Sequence, residues 1–198
     1  MGNKFAEIAF TDNVRQLQEI NGSRRSYARM EEGDETNSLL SERESAFIEA
    51  RDSFYMATVS ETGWPYMQHR GGPAGFMRVI DEKTLAFPDF GGNRQFVSAG
   101  NLTNDDRVSL FFMDYPNRAR LKLLGRVRVT DDPEILEQLS LPDYRAQIDR
   151  GFLIDVVAFD WNCPQHITPR YTEDDVDAMT APLKARIAEL EAGRSSHA

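Results

Sequence analysis

Phe54-Tyr55-Met56-Ala57-Thr58-Val59-Ser60-Glu61-Thr62-Gly63-Trp64-Pro65-Tyr66-Met67-Gln68-His69-Arg70 is the stretch that decides the fold. Aromatic and β-branched residues over 54–59 predict a strand, Glu61-Thr62-Gly63 a hairpin turn, and Trp64 to Arg70 an antiparallel return. The same pattern recurs outward. Phe76 to Ile80, the turn Asp81-Glu82-Lys83, and Thr84 to Phe87 read as a second hairpin. Arg107 to Tyr115 turns at Pro116-Asn117 into Arg120 to Val129, and Phe152 to Phe159 reads as the last strand. About six strands, mostly joined by hairpins, predict an antiparallel barrel with peripheral helices. An open antiparallel sheet covered by helices satisfies the periodicity equally well. Val108, Leu110 and Phe112, with Leu121 and Leu123, alternate along adjacent strands and would fill the interior.

The flanks read differently. Thr11-Asp12 could cap a short helix carrying Val14, Leu17 and Ile20. Asn21 to Ser38 has the composition of a mobile linker. Ser41-Glu42-Arg43-Glu44 is a capping box opening a helix through Phe47, Ile48 and Ala50. A helix is expected from Arg94 to Leu102, and a short one from Pro133 to Leu139. Val176, Met179, Leu183, Ile187 and Leu190 recur at helical spacing, so the C-terminus reads as an amphipathic arm, with Pro182 splitting it or starting a new helix. The expected divisions are an N-terminal extension over 1–40, a barrel domain over 41–171 and a helical arm over 172–198.

Composition narrows the class. The chain has 198 residues and a formal net charge of −9, which argues against nucleic acid as a partner. One cysteine, Cys163, excludes an intrachain disulfide. No apolar run is long enough to span a membrane, and residues 1–10 lack a signal-peptide pattern, so a cytoplasmic protein is expected.

Three segments gather polar groups among small residues. Gln68-His69-Arg70-Gly71-Gly72-Pro73 puts a guanidinium beside glycines that let a ligand approach the backbone; a Gly-rich turn with a surface arginine is the plainer reading. In Phe87-Pro88-Asp89-Phe90-Gly91-Gly92-Asn93-Arg94, a helix opening at Arg94 would aim N–H groups at an anion, or Asn93 would simply cap it. Asp160 to Arg170 brings together Trp161, Asn162, Gln165, His166 and Arg170, a set suited to a planar heteroaromatic ligand. Core packing would equally explain Trp161. Cys163 and His166 are too few to hold a metal, and His69 and His197 complete no motif, so none is expected.

Residues 47–129 resemble the FMN-binding split-barrel domain of the pyridoxamine 5′-phosphate oxidase family. Gly92-Asn93-Arg94-Gln95, Asn101 and Asp106-Arg107-Val108-Ser109-Leu110 carry the likeness, and the segment 160–170 is similar to a subgroup of flavin-nucleotide-binding proteins. The resemblance implies a six-stranded antiparallel split barrel, FMN as cofactor, and a homodimer with sites shared between subunits. It implies flavin contacts from His69, Arg70 and Gly71, and from Phe87, Pro88 and Asp89. It places Asn93, Arg94 and Gln95 at the phosphate, where the family's Arg-Lys pair has become Arg94-Gln95 and one charge is missing. Arg120 aligns with a glutamine supplied by the partner subunit, while Trp161, with Asn162 beside it, and Arg170 match the late flavin contacts. Gln165 and His166 fall where the oxidase binds its substrate's phosphate, but the arginine of that motif is absent. The resemblance therefore implies an FMN-dependent oxidoreductase acting on a small molecule other than pyridoxamine 5′-phosphate. A non-catalytic flavin- or haem-binding module and a deazaflavin-dependent reductase remain the alternatives.

Overall fold

The computed structural model describes residues 2–195. The chain divides into two compact units, Met1–Met113 with Arg120–Cys163, and Asp114–Ala119 with Pro164–Ala198. His197 and the last residues of the 172–198 arm lie outside the described residues.

The first unit opens with helices α1 (Lys4–Ala9), α2 (Asp12–Ile20) and α3 (Arg24–Ala28), followed by a 3-10 turn at Arg29–Glu31. The expected linker thus contains helical turns. Its Glu31 pairs with Arg24 and with Arg15 (3.3 Å), and Asn37 Nδ2 donates to the Phe159 carbonyl at 3.1 Å. Local composition could not register Arg15 and Phe159, which lie outside that stretch. α4 (Glu42–Glu49) starts as expected, with the capping box of Ser41 and Glu44 formed.

Seven strands follow: β1 (Ser53–Val59), β2 (Pro65–Gly71), β3 (Arg78–Asp81), β4 (Thr84–Phe90), β5 (Arg107–Asp114), β6 (Ala119–Thr130) and β7 (Ile148–Trp161). They form one sheet in the order β2-β1-β5-β6-β7-β4-β3. Short β3 pairs with β4 as the second hairpin predicts, and it brings the count to seven against the six strands that the family resemblance implies. The edges β2 and β3 are not paired with each other, so the sheet curls around its core without closing: a split barrel. Gly125 lies at a register shift between β6 and β7, where a Cβ would sit 2.6 Å from Ile154 Cγ2.

Alternation puts Phe54 and Met56 of β1 inside, with Val108, Leu110 and Phe112 of β5 and Leu121 and Leu123 of β6. Phe54 anchors this core, its ring centroid 5.1 Å from Phe87, 5.3 Å from Phe112 and 5.7 Å from Phe76. Burying one such ring contributes about 1.5–3 kcal/mol.

The expected helix at 94–102 shrinks to α5 (Val97–Asn101). Arg94 (φ 59°) and Phe96 (φ 55°) are left-handed, which no helical turn accommodates. Asn93 does not cap that helix; its Oδ1 accepts from the Gln95 N–H at 3.2 Å. α6 (Pro133–Gln138) begins with Asp132 as cap and Pro133 in its first turn. In the second unit, α7 (Glu173–Ser195) contains Pro182 within a single helix rather than breaking at it. Val176, Met179, Leu183, Ile187 and Leu190 are all exposed on it. Among the described residues, no helix is long and apolar enough to cross a membrane.

Candidate functional site

Strand alternation builds the site. β2 turns Pro65, Met67 and His69 to solvent, while Tyr66, Gln68 and Arg70 line a cavity of about 240 Å³. Asp89 and Phe90 at the end of β4, the loop from Gly92 to Phe96, the start of α5 and Asp149 complete its wall. A smaller cavity of about 170 Å³ shares Gln68, Arg70 and Phe90, and is lined further by His69, Gly71, Phe87 and Pro88. Gly72 allows Phe76 and Phe90 to pack against the backbone, since a Cβ there would lie 2.9 Å from Phe76 Cγ and 3.0 Å from Phe90.

The electrostatics centre on Asp89. Its carboxylate pairs with Arg70 and, at 3.3 Å, with Arg150 Nε. The Arg70 guanidinium lies 5.2 Å from the Phe152 ring and 5.8 Å from the Phe87 ring. Both rings are fully buried and stack on each other, so Phe87 floors the site from below. One carboxylate serving two guanidiniums leaves them undersatisfied. Arg70 Nε is buried without a hydrogen-bond acceptor, and leaving such a donor unpaired costs about 1–3 kcal/mol; Arg150 Nε has only its 3.3 Å ionic contact to Asp89, which is not aligned as a hydrogen bond. Arg94 reaches the same loop, its guanidinium 5.8 Å from the Phe96 ring. The left-handed Arg94 and Phe96 hold strained backbone of order 1 kcal/mol each beside this cavity. Gln68 and Ser98 fix each other, Ser98 Oγ donating to Gln68 Oε1 at 2.9 Å.

Trp161 and Asn162 line neither cavity. Trp161 packs edge-on against Phe47, is covered by the Arg43 guanidinium at 4.3 Å, and donates from Nε1 to Glu44 Oε1 at 2.6 Å. Burial pushes the Glu44 carboxyl up, but hydrogen bonds from Ser41 and Trp161 outweigh it and hold it below the ordinary glutamate range. Arg120 and Asn162 are neighbours, the Asn162 N–H donating to the Arg120 carbonyl at 3.2 Å. Arg120 Nε and Asn162 Oδ1 are both buried without partners. Trp161 lies eleven positions along β7 from Arg150, roughly 35 Å of strand path at ~3.3 Å each. Gln165, His166 and Arg170 belong to the second unit, where Arg170 lies 4.7 Å over the Tyr115 ring and His166 is left-handed (φ 62°).

The structure thus brings His69, Arg70, Gly71, Phe87, Pro88, Asp89, Asn93, Arg94 and Gln95 around two adjoining cavities. Arg120, Trp161 and Asn162 form no part of either wall. Sequence reasoning missed Asp149 and Phe96 on the cavity wall, and Arg150, which pairs with Asp89 without lining either cavity. The expected last strand began at Phe152, and Arg150 therefore read as loop; the strand continues back to Ile148.

The family model for pyridoxamine 5′-phosphate oxidase matches residues 40–158. The chain belongs to the pyridoxamine 5′-phosphate oxidase family. The matched segment takes in Arg70, Asp89, Arg94, Arg120 and Arg150, and ends before Trp161. None of the curated proteins matches. Among solved structures, HupZ of Group A Streptococcus is 15% identical with a TM-score of 0.52, covering 67% of this chain and 100% of its own. That likeness shows the fold. An FMN-binding protein from Syntrophomonas wolfei (9% identity, TM-score 0.48, 73% and 97% covered) is also similar. So is a protein related to general stress protein 26 from Clostridium acetobutylicum (16%, 0.46, 68% and 94%).

Proposed function

We propose that this pyridoxamine 5′-phosphate oxidase family protein binds FMN and acts as an oxidoreductase on a small, neutral or weakly charged molecule. The observation that carries the reading is the set of underpaired guanidiniums, Arg70 above all, in a cavity whose loop also holds Arg94. A phosphate dianion supplies the acceptors these donors lack. Asn93 and Gln95 would flank the phosphate, and the ring would extend towards His69 and Gly71 over the floor of Phe87 and Pro88. Bound FMN would supply the redox chemistry, and the chain would anchor and orient it.

The second half of the proposal is a homodimer that completes each site. Arg120 on β6 and Asn162 just past the end of β7 carry orphaned polar atoms outside the walls of both cavities, as groups awaiting another chain's ligand would. Tyr55, Trp64 and Met67 expose 37%, 76% and 66% of their surface around the β1–β2 hairpin, an apolar area that a second copy could cover. Arg120, Trp161, Asn162 and Arg170 are proposed to contact the flavin, and Gln165 and His166 the substrate. A neutral Gln165 cannot replace the forked charge of an arginine for a phosphorylated substrate. A cytoplasmic location fits the single Cys163 and the net charge of −9.

The absorption spectrum of the purified protein tests the cofactor. Flavin bands, released with the protein's denaturation, are expected; haem or deazaflavin bands would overturn the assignment. Sedimentation of the loaded protein should give twice the chain mass, and a monomer would refute the shared site.

A further inference from the structure

The C-terminal helix carries a pattern that the flavin reading does not use. On α7, Val176, Leu183 and Leu190 stand seven residues apart, and Thr180 and Ile187, also seven apart, alternate with them. That is a heptad seam, with Val176, Leu183 and Leu190 at d and Thr180 and Ile187 at a. Its apolar members are exposed, Leu183 at 65%. Its polar member brings no unpaired hydroxyl into such a seam, because Thr180 Oγ1 donates to the Val176 carbonyl at 2.8 Å. Pro182 falls at c, off the seam.

The flanking positions choose the occupant. Asp177, Lys184 and Glu191 stand at e, and Met179 and Arg186 at g. A parallel second copy in the same register sets Arg186 against Glu191 of that copy, once on each side of the seam. Arg186 Nη1 already bonds Glu189 of its own helix at 2.8 Å, and a guanidinium has further donors for a second carboxylate. Antiparallel pairing about the Leu183 and Ile187 layers would instead oppose Lys184 to Lys184, Arg186 to Arg186 and Asp177 to Glu191, all like charges. A lipid surface is a poorer match, because helices that lie on membranes carry lysine and arginine on their polar face, whereas α7 opens with Glu173, Asp174 and Asp175. We infer that α7 is a self-association element, pairing in parallel and in register with α7 of a second copy. Side chains of one stripe pack between those of the other, which gives the exposed apolar row a burial that the single chain lacks. The inference is independent of the FMN reading and of the β1–β2 face proposed for the dimer.

Disulfide trapping in the full chain tests it. Cys163, the one cysteine, is exposed and is first replaced, Cys163→Ser. In a parallel register identical residues meet across the seam. Leu183→Cys should therefore cross-link two chains in oxidised glutathione, and Ala185→Cys, at f on the far side, should not. Both positions are exposed, so neither substitution opens a core. In the Leu183→Cys chain at dilute protein, Arg186→Glu and Glu191→Arg should each lower cross-linking by about three- to tenfold, and the two together should restore it. Equal cross-linking from positions 183 and 185, or none from either, would overturn the pairing. A double charge swap that cross-links no better than the single ones would overturn its parallel direction. No flavin enters this readout, so failure of the FMN reading leaves the test standing. A dimer held by the barrel alone would show dimer mass in sedimentation with no preference for position 183.

Discussion

The two ends of β7 hold comparable chemistry in opposite states. At its end, Trp161 is fully accommodated: Phe47 at its edge, Arg43 over its face, Glu44 on its N–H. Near its start, Arg150 shares one carboxylate with Arg70; Arg70 keeps a buried N–H without an acceptor, and Arg150 Nε has only a misaligned 3.3 Å contact to Asp89. The difference separates two kinds of polar group in one fold. A satisfied group stabilises the chain as it stands, whereas an underpaired one is complete only with something added.

Substitutions can break that comparison. The largest effect is expected from Asp89→Ala, which leaves two part-buried guanidiniums facing each other. It should destabilise the protein by about 3–5 kcal/mol in urea unfolding, the scale for one partner removed from a buried ion pair. A loss below ~1 kcal/mol would mean that water already satisfies this cluster. Arg94→Ala should weaken FMN by about ten- to a hundredfold, since a charge-assisted contact contributes about 1.5–3 kcal/mol. Thermal stability should hardly change, because the left-handed Arg94 is not a core residue; unaltered FMN affinity would place its side chain in solvent.

Glu44→Gln should do the reverse, costing about 1–3 kcal/mol of stability by disturbing the capping box and the Trp161 bond, with the chain's own cavity wall untouched. The pH dependence follows from the sign. The folded carboxyl of Glu44 titrates below its ordinary value of 4.5. Its contribution is therefore present above that value and is lost as pH falls through the lower folded value. Melting temperature measured from pH 6 to 3 should fall less steeply in Glu44→Gln than in wild type; parallel curves would show Glu44 is not the group responsible. The smallest effect is expected from Arg128→Gln at the exposed Asp155 pair, within ~0.5 kcal/mol.

Much of the barrel was legible because alternation reports which face is buried. Phe54, Met56, Val108, Leu110 and Leu121 carry a period-two signal that no distant contact overrides. The capping box at Ser41 and Glu44 was legible because both partners lie within one turn. What failed depended on backbone sign or on distance. Left-handed Arg94 and Phe96 shorten a helix that propensity would extend, and nothing in Asn93-Arg94-Gln95-Phe96 announces positive φ. Arg24 and Arg15 tie down Glu31, so a stretch with linker composition carries ordered turns. Arg150 was missed because its meaning depends on Asp89 and Phe96, more than fifty residues earlier in the chain.

The central claim is that the cavity around Arg70 and Arg94 holds FMN by its phosphate, and parallel titrations of the wild-type protein with FMN and riboflavin address it most directly. The two ligands share the ring and differ in the phosphate. FMN should bind at least about tenfold more tightly, and the gap should narrow as salt screens the guanidiniums. Equal affinity for FMN and riboflavin, at low salt as at high, would contradict the account.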